Sequence, residues 1–332
     1  MIHILAQISP QRSTQYSNLA DVLAPVEIDS SPLGQSIKSI EKAELGKQKY
    51  VKFAVDEKAI DEKALYELAN LSMSGGFFYY YEDLGSFSGP FLKPIETPSQ
   101  HELPYDLLMT RRYRGKTNEM FTHFLCNMAR YSSSFADYRW PDIRIFDPLA
   151  GGGTTLFTAL YLGAEAVGVE KRSKDIQSTV SFLKQYMREK GITCKIREER
   201  IKKSIKRYWF TIGLKKRKCL LINGDTVDSP QLTAGFKKPH FIVTDLPYGI
   251  QHSGKITDLL TNALPAWSSL LIPGGTLVMS WESTRFSRKK MIDLIKKTCS
   301  IKVLEDDIYK NMSHRVDRVI KERDVVVARV EQ

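Results

Sequence analysis

The segment that decides the fold is RIFDPLAGGGTT, residues 144–155. A short apolar run ends at Asp147, and three adjacent glycines, Gly151 to Gly153, lead into a stretch with helical composition. Adjacent glycines allow a tight turn and let a ligand approach the backbone N–H groups at the start of a helix. The segment lacks the Gly-Lys-Ser/Thr ending of a phosphate loop and the Gly-x-Gly-x-x-Gly spacing of a dinucleotide fingerprint. It therefore predicts a strand, a ligand-binding turn and a helix that serve another kind of ligand.

Strand-like and helical stretches alternate from this segment to the end of the chain. Predicted strands lie at 143–147, 166–170, 219–223, 240–245, 276–280, 301–305 and 324–330, and predicted helices at 154–162, 173–190, 258–271 and 288–298. Strands separated by helices of this length predict an α/β fold with a mostly parallel sheet covered on both faces. In such sheets ligands bind beyond the carboxyl ends of the strands.

The first hundred residues have a different texture. Strands are predicted at 2–8, 50–55 and 77–81 and a helix near 61–71, which indicates a smaller α+β domain over residues 1–100 with no assigned role. Residues 86–104 hold four prolines among Gly and Ser, a composition typical of a linker. We therefore expect a second, larger domain over residues 106–332.

Composition narrows the class of protein. The chain has 332 residues, 42% of them hydrophobic, and no apolar run approaches the roughly 18 residues of a membrane-spanning helix. The first residues do not resemble a secretory signal, so we expect a soluble, cytoplasmic protein with no membrane partner. Four scattered cysteines without metal-ligand spacing predict neither a metal site nor a disulfide framework.

The net charge of +11 is concentrated in one place. Residues 195–218 carry eleven Lys and Arg against two Glu, whereas residues 1–100 carry nine Lys and Arg against thirteen Asp and Glu. Basic residues interleaved with Tyr208, Trp209 and Phe210 suit a surface that binds phosphates and stacks on bases. The candidate substrate-binding residues of this basic insertion are Lys202, Lys203, Lys206 and Arg207.

A second interpretation of the same insertion stays open. Ile201, Ile205 and Trp209 recur at a spacing of four, which suits an amphipathic helix that turns these side chains toward the core. On that interpretation the charged residues form a solvated face, and both functions can belong to one helix.

Two carboxylates follow predicted strands and are candidates for ligand binding. Glu170 ends the strand after the glycine turn, where a carboxylate can accept hydrogen bonds from the two hydroxyls of a ribose. Asp225 follows the next strand and can receive the amino group of an adenine. The alternatives are a solvated strand end for Glu170 and a helix or turn cap for Asp225.

The segment DPLAGGGTT resembles the Asp-Pro-x-x-Gly-x-Gly-Thr loop of the class I methyltransferases that act on amino groups of bases. The resemblance implies a class I, Rossmann-like methyltransferase fold and S-adenosyl-L-methionine as the cofactor. It places Gly151 and Gly153 at the methionine part of the cofactor and Asp147 at its amino-acid end. It places Glu170 at the ribose and Asp225 at the adenine.

Residues 111–127 resemble the segment that these enzymes place before the first strand, where it closes over the methionine end of the cofactor. A helix should begin near Thr117 or Asn118, since both residue types cap helices well. The resemblance makes Thr117 a further candidate for cofactor binding. The alternative is a basic loop that leads into a packed helix.

A second motif, FIVTDLPYG at residues 241–249, ends a predicted buried strand. An exocyclic amine is a poor nucleophile because its lone pair is delocalised into the ring. The Asp245 carboxylate and a backbone carbonyl near Leu246 can accept its hydrogens and aim the nitrogen at a methyl donor. Pro247 stiffens the turn, and Tyr248 can stack on the base. The alternative is a plain strand-ending turn.

This motif resembles the Asp/Asn-x-Pro-Tyr/Phe motif of amino methyltransferases. With Leu246 in place of proline and with Gly249 added, it looks most like that of the guanosine-N2 RNA methyltransferases. The resemblance implies transfer of a methyl group to guanosine N2, with tRNA or another RNA as the partner and Gly249 near the substrate. Only 74 residues separate Glu170 from Asp245, which leaves little room for the target-recognition insertion of a DNA enzyme.

Two alternative functions stay open at this point. The same motifs in the same order occur in DNA methyltransferases that act on adenine N6 or cytosine N4. A non-catalytic partner subunit with a methyltransferase fold is an alternative from another class of protein. The sequence also leaves open whether a small activating protein subunit is a partner.

Overall fold

The structure is a computed structural model that describes residues 1–10, 18–98, 101–113, 115–202, 205–247, 255–316 and 321–332. Its α-helices are α1 (Leu19–Ser30), α2 (Glu62–Ala69), α3 (Asp106–Thr110), α4 (Glu119–Tyr131), α5 (Thr154–Leu162), α6 (Ser173–Glu189), α7 (Ser229–Leu232), α8 (Lys255–Leu270), α9 (Arg288–Thr298) and α10 (Asp307–Lys310). Its strands are β1 (Ile2–Ile8), β2 (Ser39–Leu45), β3 (Gln48–Val55), β4 (Ser74–Leu84), β5 (Phe87–Pro94), β6 (Arg144–Asp147), β7 (Glu165–Glu170), β8 (Cys194–Lys202), β9 (Ile205–Ile212), β10 (Arg217–Asn223), β11 (Phe241–Asp245), β12 (Thr276–Glu282), β13 (Lys302–Val303), β14 (His314–Arg315) and β15 (Glu322–Arg329).

Contacts between residues divide the chain into two compact units. Unit 1 comprises Met1–Gln100 and Glu305–Arg323, and unit 2 comprises His101–Leu304 and Asp324–Gln332. Within the described ranges, no helix has both the length and the apolar character that crossing a membrane requires.

Unit 1 is built on an antiparallel sheet in the order β2-β3-β1-β4-β5. The central strand β1 pairs with β3 on one side and with β4 on the other. The succession β1-α1-β2-β3-α2-β4, with β4 beside β1, is the ferredoxin-like arrangement of a split βαβ unit. The predicted α+β domain is confirmed. The sequence patterns missed α1, which contains Pro25, and the short charged edge strand β2.

The proline-rich stretch is not a plain linker. Its first part forms β5, which pairs antiparallel with β4 at the edge of the sheet. Pro90 and Pro94 are compatible with this position because an edge strand has one row of N–H groups that need no partner strand. The interpretation of residues 86–94 as linker is therefore wrong.

The helix α1 is held to the rest of unit 1 by a buried carboxylate. Glu27 is fully buried, and its carboxylate accepts hydrogen bonds from the Ser72 N–H at 3.0 Å, the Ser72 hydroxyl at 2.6 Å and the Met73 N–H at 3.0 Å. A buried carboxylate is stable only when donors surround it in this way. Glu27 therefore fixes α1 against the turn that precedes β4.

We expect Glu27→Ala to loosen unit 1, because two backbone N–H groups and a hydroxyl lose their acceptor in a buried place. We expect the free energy of unfolding of unit 1 to fall by about 3 kcal/mol. Hydrogen exchange followed by mass spectrometry on peptides of unit 1 measures it, with the exposed Glu57→Ala as the matched control. Equal protection in Glu27→Ala and the control would contradict this assignment.

Unit 2 is built on a long mixed sheet in the order β13-β15-β12-β11-β6-β7-β10-β9-β8. The central strands are parallel: β6 pairs with β7 and with β11, β7 pairs with β10, and β11 pairs with β12. Counted from β6, the five parallel strands have the order 3-2-1-4-5, which is that of a doubly wound fold. The strands and helices predicted from residue 143 onward are present, with ends that differ by at most three residues.

Helices pack on both faces of the parallel strands. One face carries a core in which Trp267 of α8 and Met291 of α9 lie among strand residues such as Phe146 and Met279. On the other face α5 comes close to β7, where a Cβ on Gly168 would lie 2.7 Å from a methyl group of Leu156. The predicted α/β, Rossmann-like fold with a central, mostly parallel sheet is confirmed.

The basic insertion forms a β-hairpin. Strands β8 and β9 pair antiparallel with each other, and β9 pairs antiparallel with β10. Tyr208, Phe210 and Ile212 are buried at every second position, so the period is that of a strand. The interpretation as an amphipathic helix is wrong, because β-branched and aromatic residues at this spacing fit the pleated edge of the sheet better than a helix.

Candidate active site

The glycine turn after β6 is held by the neighbouring strand. Gly151 and Gly153 have φ angles of +49° and +90°, which side chains other than glycine rarely adopt, and Gly153 caps α5. The N–H of Gly151 donates to Glu170 Oε2 at 3.1 Å, and the N–H of Arg172 donates to Glu170 Oε1 at 2.7 Å. The structure thus brings Gly151 and Glu170 together, and a Cβ at Gly151 would lie 3.9 Å from the carbonyl oxygen of Leu149.

Asp225 lies beside Glu170 because β7 and β10 are parallel neighbours in which Glu170 is paired with Asn223. Its carboxylate accepts from the Val227 N–H at 3.2 Å and from Lys171 Nζ at 2.8 Å. The hydrogen bond from Lys171 lowers the pKa of Asp225 below its ordinary value. Asp225 is therefore a turn cap, and its partly exposed carboxylate stands next to Glu170 at the same sheet edge.

Asp147, at the end of β6, is almost completely buried. It accepts a hydrogen bond from the Leu149 N–H at 3.0 Å. Burial raises the pKa of Asp147 from 3.8 to about 6, and hydrogen bonds, including one from the Thr155 side chain, offset part of that rise. The nearby Asp245 carboxylate adds to the rise by repulsion. An ammonium group beside Asp147 would relieve this unfavourable burial.

The raised pKa makes the stability of unit 2 depend on pH. Between pH 4 and pH 6 the folded chain binds more protons than the unfolded chain at this site, so stability falls as pH rises. Relative to Asp147→Asn, the wild type should lose about 2 kcal/mol between pH 4 and pH 7. Chemical denaturation across this range measures the difference. The exposed Asp142→Asn should follow the wild type, and parallel profiles of all three proteins would contradict the burial of a charged Asp147.

Two residues that sequence patterns did not single out cover the glycine turn. Arg111 is buried and donates to the carbonyl of Gly152 and to Thr179 Oγ1, the latter at 2.6 Å. The Tyr113 hydroxyl hydrogen-bonds to Thr154, and the Arg111 guanidinium lies 5.1 Å from the Tyr113 ring. The residues 111–113 are therefore fixed to the glycine turn, which explains why a basic and aromatic pair precedes it.

Position 152 needs a glycine because the ring of Tyr113 leaves no space for a side chain there, and not because of the backbone conformation of Gly152. A Cβ at Gly152 would lie 2.2 Å from Cζ of Tyr113. We expect Gly152→Ala to destabilise the protein by about 2 kcal/mol, because the ring must leave its hydrogen bond to make room. In a double-mutant cycle by chemical denaturation, Tyr113→Ala should remove most of that cost. Additive effects of the two substitutions would show that the ring is not the obstacle.

The Asp245 carboxylate, at the end of β11, receives one hydroxyl on each oxygen. Thr117 Oγ1 donates to Oδ2 at 2.7 Å, and Ser280 Oγ donates to Oδ1 at 2.5 Å. Asn118 caps α4 by accepting from the Phe121 N–H at 3.1 Å, as predicted for Thr117 or Asn118. Thr117, predicted as a cofactor residue, thus contacts the carboxylate of Asp245, and Ser280 was not predicted.

The structure describes part of the second motif, residues 241–249. The side chain of Leu246 is buried, its N–H donates to the Ser280 carbonyl at 2.9 Å, and Pro247 is exposed. Tyr248 and Gly249 lie outside the described residues. Their roles remain predictions.

The predicted substrate-binding residues of the basic insertion differ in their surroundings. Lys206 forms an ion pair with Glu198 at 2.7 Å. Arg207 is buried and donates to the carbonyls of Gln231 and Ala234. Lys202 ends β8, and Lys203 lies outside the described residues.

The aromatic residues of the insertion belong to the packing. Tyr208 and Phe210 are buried, and Trp209 is half-buried with its Nε1 donating to Glu199 at 2.8 Å. Stacking of nucleic-acid bases on Tyr208 and Phe210 is therefore excluded, because their rings are already covered by protein.

Neither a known protein family nor a curated protein sequence matches the chain. Among solved structures, the chain is similar to TrmN from Thermus thermophilus, with 13% identity, a TM-score of 0.47, and coverage of 99% of this chain and 100% of that one. It is also similar to the rRNA methyltransferase aviRa from Streptomyces viridochromogenes, with 14% identity, a TM-score of 0.42, and coverage of 68% and 91%. Magnesium protoporphyrin IX methyltransferase from Synechocystis, solved with bound SAM, has 10% identity, a TM-score of 0.42, and coverage of 66% and 87%.

Proposed function

We propose that this protein is an S-adenosylmethionine-dependent methyltransferase that acts on an exocyclic amine of an RNA base, with guanosine N2 in tRNA as the preferred target. The observation that carries the proposal is the meeting of two motifs at one place in the sheet. Asp147 ends β6 and Asp245 ends β11, and these parallel strands are direct neighbours. Ligands of doubly wound sheets bind at this switch point.

The residues around the glycine turn fit the proposed cofactor chemically. Glu170 offers a carboxylate for the ribose hydroxyls, Asp225 an acceptor for the adenine amino group, and buried Asp147 an acceptor for the ammonium of the methionine end. When bound, the cofactor would supply an electrophilic methyl group. Glycine at position 151 leaves room for a ligand close to the backbone. A side chain at this position would fill that room, and residues other than glycine rarely adopt its φ angle of +49°.

Asp245 would position the amine of the base. Its carboxylate and the carbonyl of Leu246 would each accept one hydrogen of the amine, which aims the nitrogen lone pair away from both acceptors. Positioning of a nucleophile by fixed acceptors is worth several kcal/mol because no reorganisation is needed during the reaction. The amine proton would then leave to solvent after transfer.

The choice of RNA over DNA as the proposed substrate rests mainly on residues of the second motif. Leu246 and Gly249, together with the short span between Glu170 and Asp245, support an RNA substrate. Incubation of the protein with labelled cofactor and unmodified tRNA, rRNA or genomic DNA, followed by mass spectrometry of nucleosides, tests this. We expect N2-methylguanosine in RNA, whereas N6-methyladenine in DNA would reject the proposed substrate.

The central role of Asp245 is tested by Asp245→Ala. We expect methyl transfer to fall about 100-fold or more, because an acceptor for the amine is lost. Binding of S-adenosylmethionine, measured by calorimetry, should stay within a few-fold of the wild type. Asp293→Ala, which removes an exposed carboxylate on α9, is the control and should retain full activity. Loss of cofactor binding in Asp245→Ala would mean that the residue serves the cofactor instead.

A further inference from the structure

The two hydroxyl groups that donate hydrogen bonds to Asp245 come from separate parts of unit 2. Thr117 precedes α4, and Ser280 lies on β12, where the register of the parallel strands places it directly opposite Asp245. Ser280 is fully buried. Its carbonyl also accepts the N–H of Leu246 at 2.9 Å. Ser280 therefore holds the side chain of Asp245 and the backbone of the next residue together.

We propose that Thr117 and Ser280 are positioning residues for the reaction, which fix the orientation of the Asp245 carboxylate toward the methyl-accepting amine. This inference rests on the proposed function and adds two residues to it. Neither residue touches the transferred group. Both act through Asp245.

The physical argument starts from the freedom of an aspartate side chain. The torsion that turns the carboxylate is broad, so a single contact leaves its plane poorly defined. One donor on each oxygen fixes that plane. An ionised carboxylate has about four lone-pair sites, so two bound hydroxyls do not by themselves exhaust what it can accept. The hydroxyls thus orient Asp245 without consuming its capacity to accept.

The distances support this role. Hydrogen bonds from hydroxyls to a carboxylate are short and strong, and 2.5 Å and 2.7 Å lie in their range. Ser280 is part of a buried strand, so its hydroxyl cannot drift with the loop. Thr117 donates to the other carboxylate oxygen of Asp245, Oδ2. Because a misplacement of about 1 Å can reduce the rate about 100-fold, residues that fix this carboxylate should affect turnover directly.

This assignment gives Thr117 a different role from the predicted contact with the cofactor. A cofactor contact would weaken binding of S-adenosylmethionine when removed. A positioning residue would instead lower kcat and leave cofactor affinity unchanged. The two roles are therefore separated by measuring both quantities on one variant.

The test compares Thr117→Val and Ser280→Ala with the wild type in the full chain, using labelled S-adenosylmethionine and the RNA that the wild type methylates. We expect each variant to lower kcat about 10-fold or more, with the Kd for S-adenosylmethionine by calorimetry within about twofold. Thr117→Ser, which keeps the hydroxyl, should restore most of kcat.

Two matched controls remove buried hydroxyls that do not touch Asp245. Thr122→Val removes a hydroxyl that donates to the Asn118 carbonyl in α4, and Thr276→Val removes one that donates to the Ala129 carbonyl from β12. Both should keep kcat within about twofold. Loss of kcat in the controls equal to that in Thr117→Val and Ser280→Ala would overturn the proposal, since the effect would then be general to buried hydroxyls.

A second comparison tests whether the residues act through Asp245. In single-turnover experiments, adding Thr117→Val to Asp245→Ala should cause no further loss, because the hydroxyl no longer has its partner. A further loss, or a raised Kd for S-adenosylmethionine in Thr117→Val with unchanged kcat, would overturn the inference. If the wild type binds the cofactor and transfers methyl groups, and Thr117→Val keeps full kcat, this inference is rejected but the proposed function is not. A wild type without methyl transfer to any nucleic acid rejects the proposed function itself.

Discussion

The parallel pairing of β6 with β11 is the constraint on which the rest of unit 2 depends. The chain leaves β6 toward β7 on one side, and it returns to β11 on the other side only after β10. The carboxyl ends of β6 and β11 are therefore the topological switch point, which is where the ligand crevice of a doubly wound sheet lies. Asp147 and Asp245 end these two strands, and the Asp245 charge contributes to the raised pKa of Asp147. One pairing thus sets both the position of the crevice and its acidic character.

The two carboxylates are neighbours in very different surroundings. Asp147 is buried, and its burial disfavours the charged form. Asp245 is less buried and receives hydroxyls from Thr117 and Ser280. Under the proposed function, Asp147 would serve the ammonium group of the cofactor and Asp245 the amine of the base, so adjacent strands would carry two separate tasks. On that proposal, two acidic residues lie close together without serving the same ligand.

Sequence patterns predicted the parallel strands of unit 2 well, because buried parallel strands are continuous apolar runs bounded by Gly, Pro and Asp. They failed where the signal depends on partners far along the chain. The hairpin of β8 and β9 was open to interpretation as a helix because its apolar residues recur both at a spacing of two and at a spacing of four. The contact of Ser280 with Asp245 could not be predicted from the sequence, because a single serine inside a strand belongs to no recognisable sequence pattern. Its role follows only from the register that sets it opposite Asp245.

The basic insertion shows why local net charge is a weak guide to a binding surface. Within the hairpin Glu198 pairs with Lys206, and outside it Glu102 lies within 3.2 Å of Lys215 and 3.4 Å of Arg217. Arg207 is drawn into the interior by backbone carbonyls. Glu102, which is distant in sequence, thus neutralises part of an excess that the sequence alone assigns to phosphates. Exposed surface pairs contribute little stability, so an RNA phosphate can displace their acidic partner at low cost. Under the proposed function, the affinity of this hairpin for RNA would therefore depend on how many of these pairs exchange, more than on the number of basic residues that it contains.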